Sequence, residues 1–143
     1  MKILFLGDIV GNSGCTAVKD NLPKIIRDKS IDFVIANGEN AAREGVGITE
    51  NITNELLNSG VDVITTGNHV WDQKETYNFI SKEKRLLRPL NLLDDAPGKG
   101  FEIYNSRRGF KIGVLNLMGN IFMKKCEDVF KITKNFLEKN NLK

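Results

Sequence analysis

The chain has 143 residues, 41% apolar and 27% charged, a mix that can bury one core of ordinary size and excludes a disordered or low-complexity chain. Its formal net charge of +3 sits in the last twenty residues, where six lysines between Lys124 and Lys143 face Glu127, Asp128 and Glu138; residues 1–123 balance. With no basic stripe for tracking phosphates, nothing points to DNA binding.

The N-terminus opens on Ile3–Leu6, the first of three short apolar runs; Phe33–Ala36 and Val61–Ile64 are the others. Apolar residues on consecutive positions predict strands covered on both faces, as in a parallel sheet. Between the first two runs, Val18, Leu22, Ile25 and Ile26 share one face of a helix starting near Ser13, with Pro23 placed to kink it. Ile52, Leu56 and Leu57 mark a second helix that Thr49 can cap and Gly60 can end. Beyond Asp72, Tyr77 and Ile80 predict a third. The order β-α-β-α-β-α is that of an α/β fold with right-handed crossovers.

The second half reads differently. Pro89, Pro97, Gly98 and Gly100 predict a loop. Phe101–Tyr104 and Phe110–Leu117 flank a five-residue connection, Asn105 to Gly109, as a β-hairpin. Val129, Ile132, Phe136 and Leu137 predict a C-terminal amphipathic helix over 127–143. No repeat or linker divides the chain, so residues 1–143 are expected to form a single domain. No apolar run reaches the roughly 20 residues of a membrane span, and Asp8 interrupts the first run too early for a signal peptide. Cys15 and Cys126 have neither metal-ligand nor disulfide spacing, and a reduced, cytoplasmic protein with no membrane partner is expected.

In open α/β sheets ligands collect beyond the carboxyl ends of the strands, which directs attention to three corners. They read Gly7-Asp8-Ile9-Val10-Gly11, Asn37-Gly38-Glu39-Asn40 and Thr66-Gly67-Asn68-His69. The first is no nucleotide loop. A dinucleotide fingerprint would need glycine where Ile9 stands, and a P-loop would need glycine at Ile9 and lysine at Cys15. Gly11 and Gly14 read instead as a tight strand-to-helix turn. Asp8, Glu39, Asn40 and Asn68 are oxygen donors suited to hard or borderline divalent cations. A carboxylate such as Glu39 can bridge two ions, and His69 can hand a proton to a leaving oxygen near neutral pH. The plain alternatives are a helix-capping or turn aspartate, a solvated Glu39–Asn40 loop and an Asn68–His69 turn pair. Arg43, Arg107 and Arg108 could touch a substrate phosphate or simply be solvated.

At these residues the sequence resembles the calcineurin-like metallophosphoesterases, and within them the YmdB-type branch, whose members resemble 2′,3′-cyclic nucleotide phosphodiesterases. Gly67-Asn68-His69 is the motif shared across that superfamily. Gly7 to Gly11, Asn37 to Ala42, Gly47-Ile48-Thr49 and Gly67 to Asp72 match the branch. Arg88-Pro89, Ala96 to Gly100 and Leu115 to Gly119 continue it to about residue 123. The resemblance implies the N-terminal part of an αββα sandwich, mainly parallel sheet with flanking helices plus a hairpin. It implies that Asp8 and Asn40 bind a first metal, that Glu39 bridges, that Asn68 binds a second, and that His69 is the catalytic acid. Two divalent ions, iron or manganese, are implied as cofactors, and a phosphoester or cyclic nucleotide as substrate.

The resemblance also implies three further histidine ligands, in an H-A-E and an H-T-H corner, whereas His69 is the one histidine of this sequence. The expectation is therefore a truncated domain with reduced metal occupancy, weak or no activity alone and apolar surface left exposed. A complementary C-terminal half or a second copy of the chain could cover that surface. A split enzyme, a non-catalytic remnant and a binding module are the readings this leaves open.

Overall fold

The computed structural model describes residues 1–92, 95–123 and 125–140. β1 (Ile3–Leu6), α1 (Gly11–Lys29), β2 (Phe33–Asn37), α2 (Glu50–Asn58) and β3 (Val63–Thr65) come first. A one-turn α3 (Thr76–Phe79) leads to β4 (Leu86–Leu87), the hairpin β5 (Phe101–Asn105) and β6 (Lys111–Leu115), and α4 (Val129–Lys139). Strands β1 to β4 form one parallel sheet in chain order, with Ile3 opposite Phe33, Ile35 opposite Val63 and Ile64 opposite Leu86. β5 and β6 pair antiparallel, Phe101 opposite Leu115 and Asn105 opposite Lys111.

Because side chains alternate along a strand, the sheet has two faces with different partners. Leu4, Leu6, Val34, Ala36, Ile64 and Leu86 point to one face, where Cys15 and Leu22 of α1 and Leu56 and Leu57 of α2 close the main core. Phe33, Val63 and Leu87 point to the other face and meet Ile112 and Val114 of β6, with Tyr104 packed alongside. The hairpin reaches β2 to β4 but leaves β1 bare: Ile3 is 46% and Phe5 59% exposed. The expectation of a first strand covered on both faces is therefore corrected. β1 is an edge strand with one covered face.

Local signals explain most element ends. Thr49 caps α2, its Oγ1 accepting from the Ile52 N–H at 3.2 Å. α1 starts two residues before the predicted Ser13 and continues through Pro23. The predicted third helix shrinks to one turn, anchored by buried Thr76 and Phe79. β4 is a two-residue strand that no alternation could reveal. β3 begins at Val63 rather than Val61, because Asp62 turns to the sheet's amino end, where its Oδ2 accepts from the Val34 N–H at 2.7 Å. β6 is shorter than the expected Phe110–Leu117 at both ends, and β5 runs one residue past Tyr104. The last helix covers Val129–Lys139, capped by Asp128 and set against β5 through an edge-on contact of Phe136 with Phe101, centroids 4.7 Å apart. Residues 141–143 of the predicted 127–143 helix lie outside the described residues. Among the described residues no helix is long and apolar enough to cross a membrane.

Candidate functional site

Parallel pairing carries the three corners to one end of the sheet, and backbone bonds extend it beyond the strands. The Ile9 N–H reaches the Asn37 carbonyl and the Gly11 N–H the Asn40 carbonyl, each at 2.9 Å; the Gly38 N–H reaches the Thr65 carbonyl at 2.9 Å. The first corner is thereby laced to the second, and the second to the third.

Asp8 occupies left-handed backbone, φ 38°, a conformation that costs most non-glycine residues free energy and that aspartate tolerates better than most. It does not cap α1: the cap position is Val10, with no side-chain bond. The Asp8 carboxylate instead accepts from Asn40 Nδ2 at 2.8 Å. Asn40 then turns its Oδ1 the other way, buried and without a hydrogen-bond partner. An orphaned buried carbonyl oxygen is costly unless something electropositive meets it. Gly11, at φ 56°, makes the tight turn into α1 expected of it.

Glu39 is half-buried, and burial raises its carboxyl pKa above the ordinary value; the His69 charge pulls it down and Asp8 pushes it up. Its carboxylate lies on the Cα of Gly67, where any Cβ would overlap it. Glycine at 67 thus makes the seat for Glu39, linking the second corner to the third. In the third corner the Val70 N–H bonds to the Gly67 carbonyl at 3.2 Å, and His69 Nδ1 lies 2.6 Å from Asp72 Oδ2. Asn68, between Gly67 and His69 in the chain, is half-buried.

The structure thus brings Asp8, Glu39, Asn40 and the Asn68–His69 corner together. Among the described residues no three His, Cys, Asp or Glu side chains gather as a metal-holding group. Any cation here would rely on amide oxygens as well as carboxylates. The orphaned Asn40 Oδ1, the Asp8 carboxylate held by Asn40 Nδ2 and the Glu39 carboxylate seated on Gly67 are donors of the kind an oxygen-seeking divalent ion takes.

Arginines outside the corners divide. Arg107 pairs with Asp62 and donates to the Gly60 carbonyl at 3.0 Å, and Arg108 pairs with buried Asp32 at 3.3 Å. Asp32 and Asp62 precede β2 and β3, so both arginines clamp the hairpin turn at the end of the sheet opposite the corners. They are not placed to touch a ligand there. Arg43 is exposed on the loop after Asn40 and lines an open cavity of about 510 Å³ with Asn12, Thr16 and Gln73. Buried Arg88 holds the following loop, donating to the carbonyls of Pro89, Ala96 and Pro97.

Two supporting residues carry no composition signal. Asn116, buried at the end of β6, donates from Nδ2 to the Thr66 carbonyl at 2.9 Å and the Leu87 carbonyl at 3.0 Å, fixing the third corner from the hairpin side. Asp72 bonds His69, and its cues in the sequence are the three-residue spacing and its place at the end of the branch-matching stretch from Gly67.

The same architecture occurs in solved structures. A crystal structure of a novel phosphatase from Mycoplasma pneumoniae superposes with a TM-score of 0.88 at 33% identity, over 97% of this chain and 51% of that one. A hypothetical protein from Thermus thermophilus gives a TM-score of 0.87 at 41% identity, over 96% of this chain and 53% of that one. The fold class is that of an α/β phosphatase domain. The chain belongs to the YmdB-like protein family, whose profile matches residues 4–143. The 2′,3′-cyclic-nucleotide 2′-phosphodiesterase of Bacillus subtilis (strain 168) is 45% identical over 130 residues, 91% of this chain and 48% of that protein. The YmdB-type resemblance read from the corners stands, and the chain spans about half the length of the curated relatives it matches.

Proposed function

We propose that this chain carries the oxygen-donor part of a divalent-metal phosphodiesterase centre, with a 2′,3′-cyclic nucleotide or related phosphodiester as substrate. The observation that carries the reading is the buried, partnerless Oδ1 of Asn40, a residue whose Nδ2 bonds the Asp8 carboxylate and which follows Glu39 in the corner at the carboxyl end of a parallel sheet. Asp8 and Asn40 would hold one ion, Glu39 would bridge and Asn68 would reach a second. Iron or manganese held there would polarise the phosphoryl oxygens and lower the pKa of the attacking water. His69 gives its proton to the leaving oxygen as the P–O bond breaks, while water supplies the hydroxyl gained by phosphorus.

Because His69 is assigned to proton transfer, the donors this chain offers are oxygens, which hold transition metals weakly. Low occupancy is expected, with hydrolysis of bis-p-nitrophenyl phosphate at background for the chain alone. The test is Mn²⁺ titration followed by electron paramagnetic resonance. Asp8→Ala and Asn40→Ala should each loosen binding at least about tenfold. Binding indifferent to both substitutions would sink the proposal, and turnover that disappears in Asn68→Ala would show that these oxygens suffice for catalysis.

The bare face of β1 favours a second reading alongside the first, that this surface is an interface, with a complementary polypeptide or a second copy. Phe5, Ile35, Val114 and Leu117 line an open groove of about 420 Å³ there. Light scattering should show a dimer or larger species, and a compact monomer counts against it.

A further inference from the structure

His69 is held from both sides of its turn. Val70 is fully buried, Trp71 stacks on Tyr77 with centroids 4.3 Å apart, and Gln73 Nε2 donates to the Val46 carbonyl at 2.9 Å. The Asp72 N–H bonds back to the His69 carbonyl at 3.1 Å. These anchors fix the backbone that carries Asp72, and its carboxylate meets His69 Nδ1 at 2.6 Å. Asp72 is itself exposed, and its side chain supports no other element among the described residues. Its placement serves the ring rather than the core.

We propose that Asp72 is the positioning residue for His69, holding the imidazole as the Nδ1–H tautomer and leaving Nε2 as the nitrogen that exchanges a proton with substrate. An ionised carboxylate only accepts hydrogen bonds, so the nitrogen facing it must carry hydrogen in both charge states of the ring. The carboxylate also fixes the ring plane, which a side chain on a surface turn would otherwise sample freely. The link to substrate rests on His69 being the general acid; the tautomer itself does not.

That separation decides the experiment. With one histidine in the sequence, long-range ¹H–¹⁵N correlation spectra of the full chain report a single ring without assignment ambiguity. With the ring neutral, the parent should show protonated Nδ1 and a downfield, unprotonated Nε2. Asp72→Ala should move the proton predominantly to Nε2 with the backbone amide spectrum otherwise kept, and Asp72→Glu should restore part of the Nδ1–H form. A parent ring protonated at Nε2, or an Asp72→Ala ring that keeps Nδ1–H, overturns the inference. Failure of Mn²⁺ binding would remove the phosphodiesterase reading while leaving these spectra unchanged, so the two cannot be confused.

Discussion

The two faces of the parallel sheet are covered to different extents. On the helix side, α1 and α2 span the strands and close a core in which Val34, Ala36, Leu56 and Ile64 are fully buried. On the hairpin side, β5 and β6 cover β2 to β4 and leave Ile3 and Phe5 in the open, while α4 beyond them contains no buried residue. The corners grow from strands seated on the well-packed face, and from the hairpin side Asn116 donates to the third corner. Precise placement of Asp8, Glu39 and Asn40 thus draws on the helix side, while apolar area is left over on the other.

The largest test of this contrast pairs two truncations. Leu56→Ala, in the helix-side core, should cost about 2–5 kcal/mol in urea denaturation. Phe5→Ala on the bare face should cost less than about 1 kcal/mol. Equal costs would mean that the face of β1 is covered in solution and the comparison breaks. Next in size is Asn116→Ala, which takes the side-chain donor from the Thr66 carbonyl, while the Leu87 carbonyl keeps the Thr66 N–H and hydroxyl, and should cost about 1–3 kcal/mol. Loss of Mn²⁺ binding in that variant, with the fold intact, would sharpen the link between the hairpin and the third corner.

Glu39 gives a smaller effect whose sign depends on pH. Burial raises its folded-state pKa, so the folded chain binds the proton more tightly than the unfolded one. The resulting stability is present below the ordinary carboxylate value and is lost as pH rises through the raised one. Glu39→Gln should therefore melt higher than the parent at neutral pH, with the gain fading in acid. Mn²⁺ should stabilise the parent more than the variant. A variant that is no more stable at neutral pH contradicts a desolvated Glu39. The smallest effect belongs to α4, where Phe130→Ser at an 81% exposed position should change stability by no more than about 0.5 kcal/mol.

Several elements could be read before any coordinates because their cause is local. Thr49 announces a helix start by its own hydroxyl, and the consecutive apolar residues at Phe33 and Val61 announce buried parallel strands, while the run at Ile3 announces a strand but not its bare face. The Gly67-Asn68-His69 corner was visible as a motif. β4 was not, since two leucines followed by arginine carry no alternation and become a strand only when β3 offers its edge. The roles of Arg107 and Arg108 were equally hidden, because their partners Asp62 and Asp32 lie far earlier in the chain, at the starts of two other strands.

From the amino-acid order alone came the α/β class, the three polar strand ends and the candidate oxygen donors they carry, because capping, periodicity and donor chemistry act over a few neighbouring residues. Only the tertiary structure decided that Asn40 turns a partnerless oxygen inward, that Glu39 rests on Gly67, that Asp72 holds His69 and that β1 keeps one face bare. Each of these depends on the distance between side chains brought together by sheet pairing and packing, and no local rule contains such a distance.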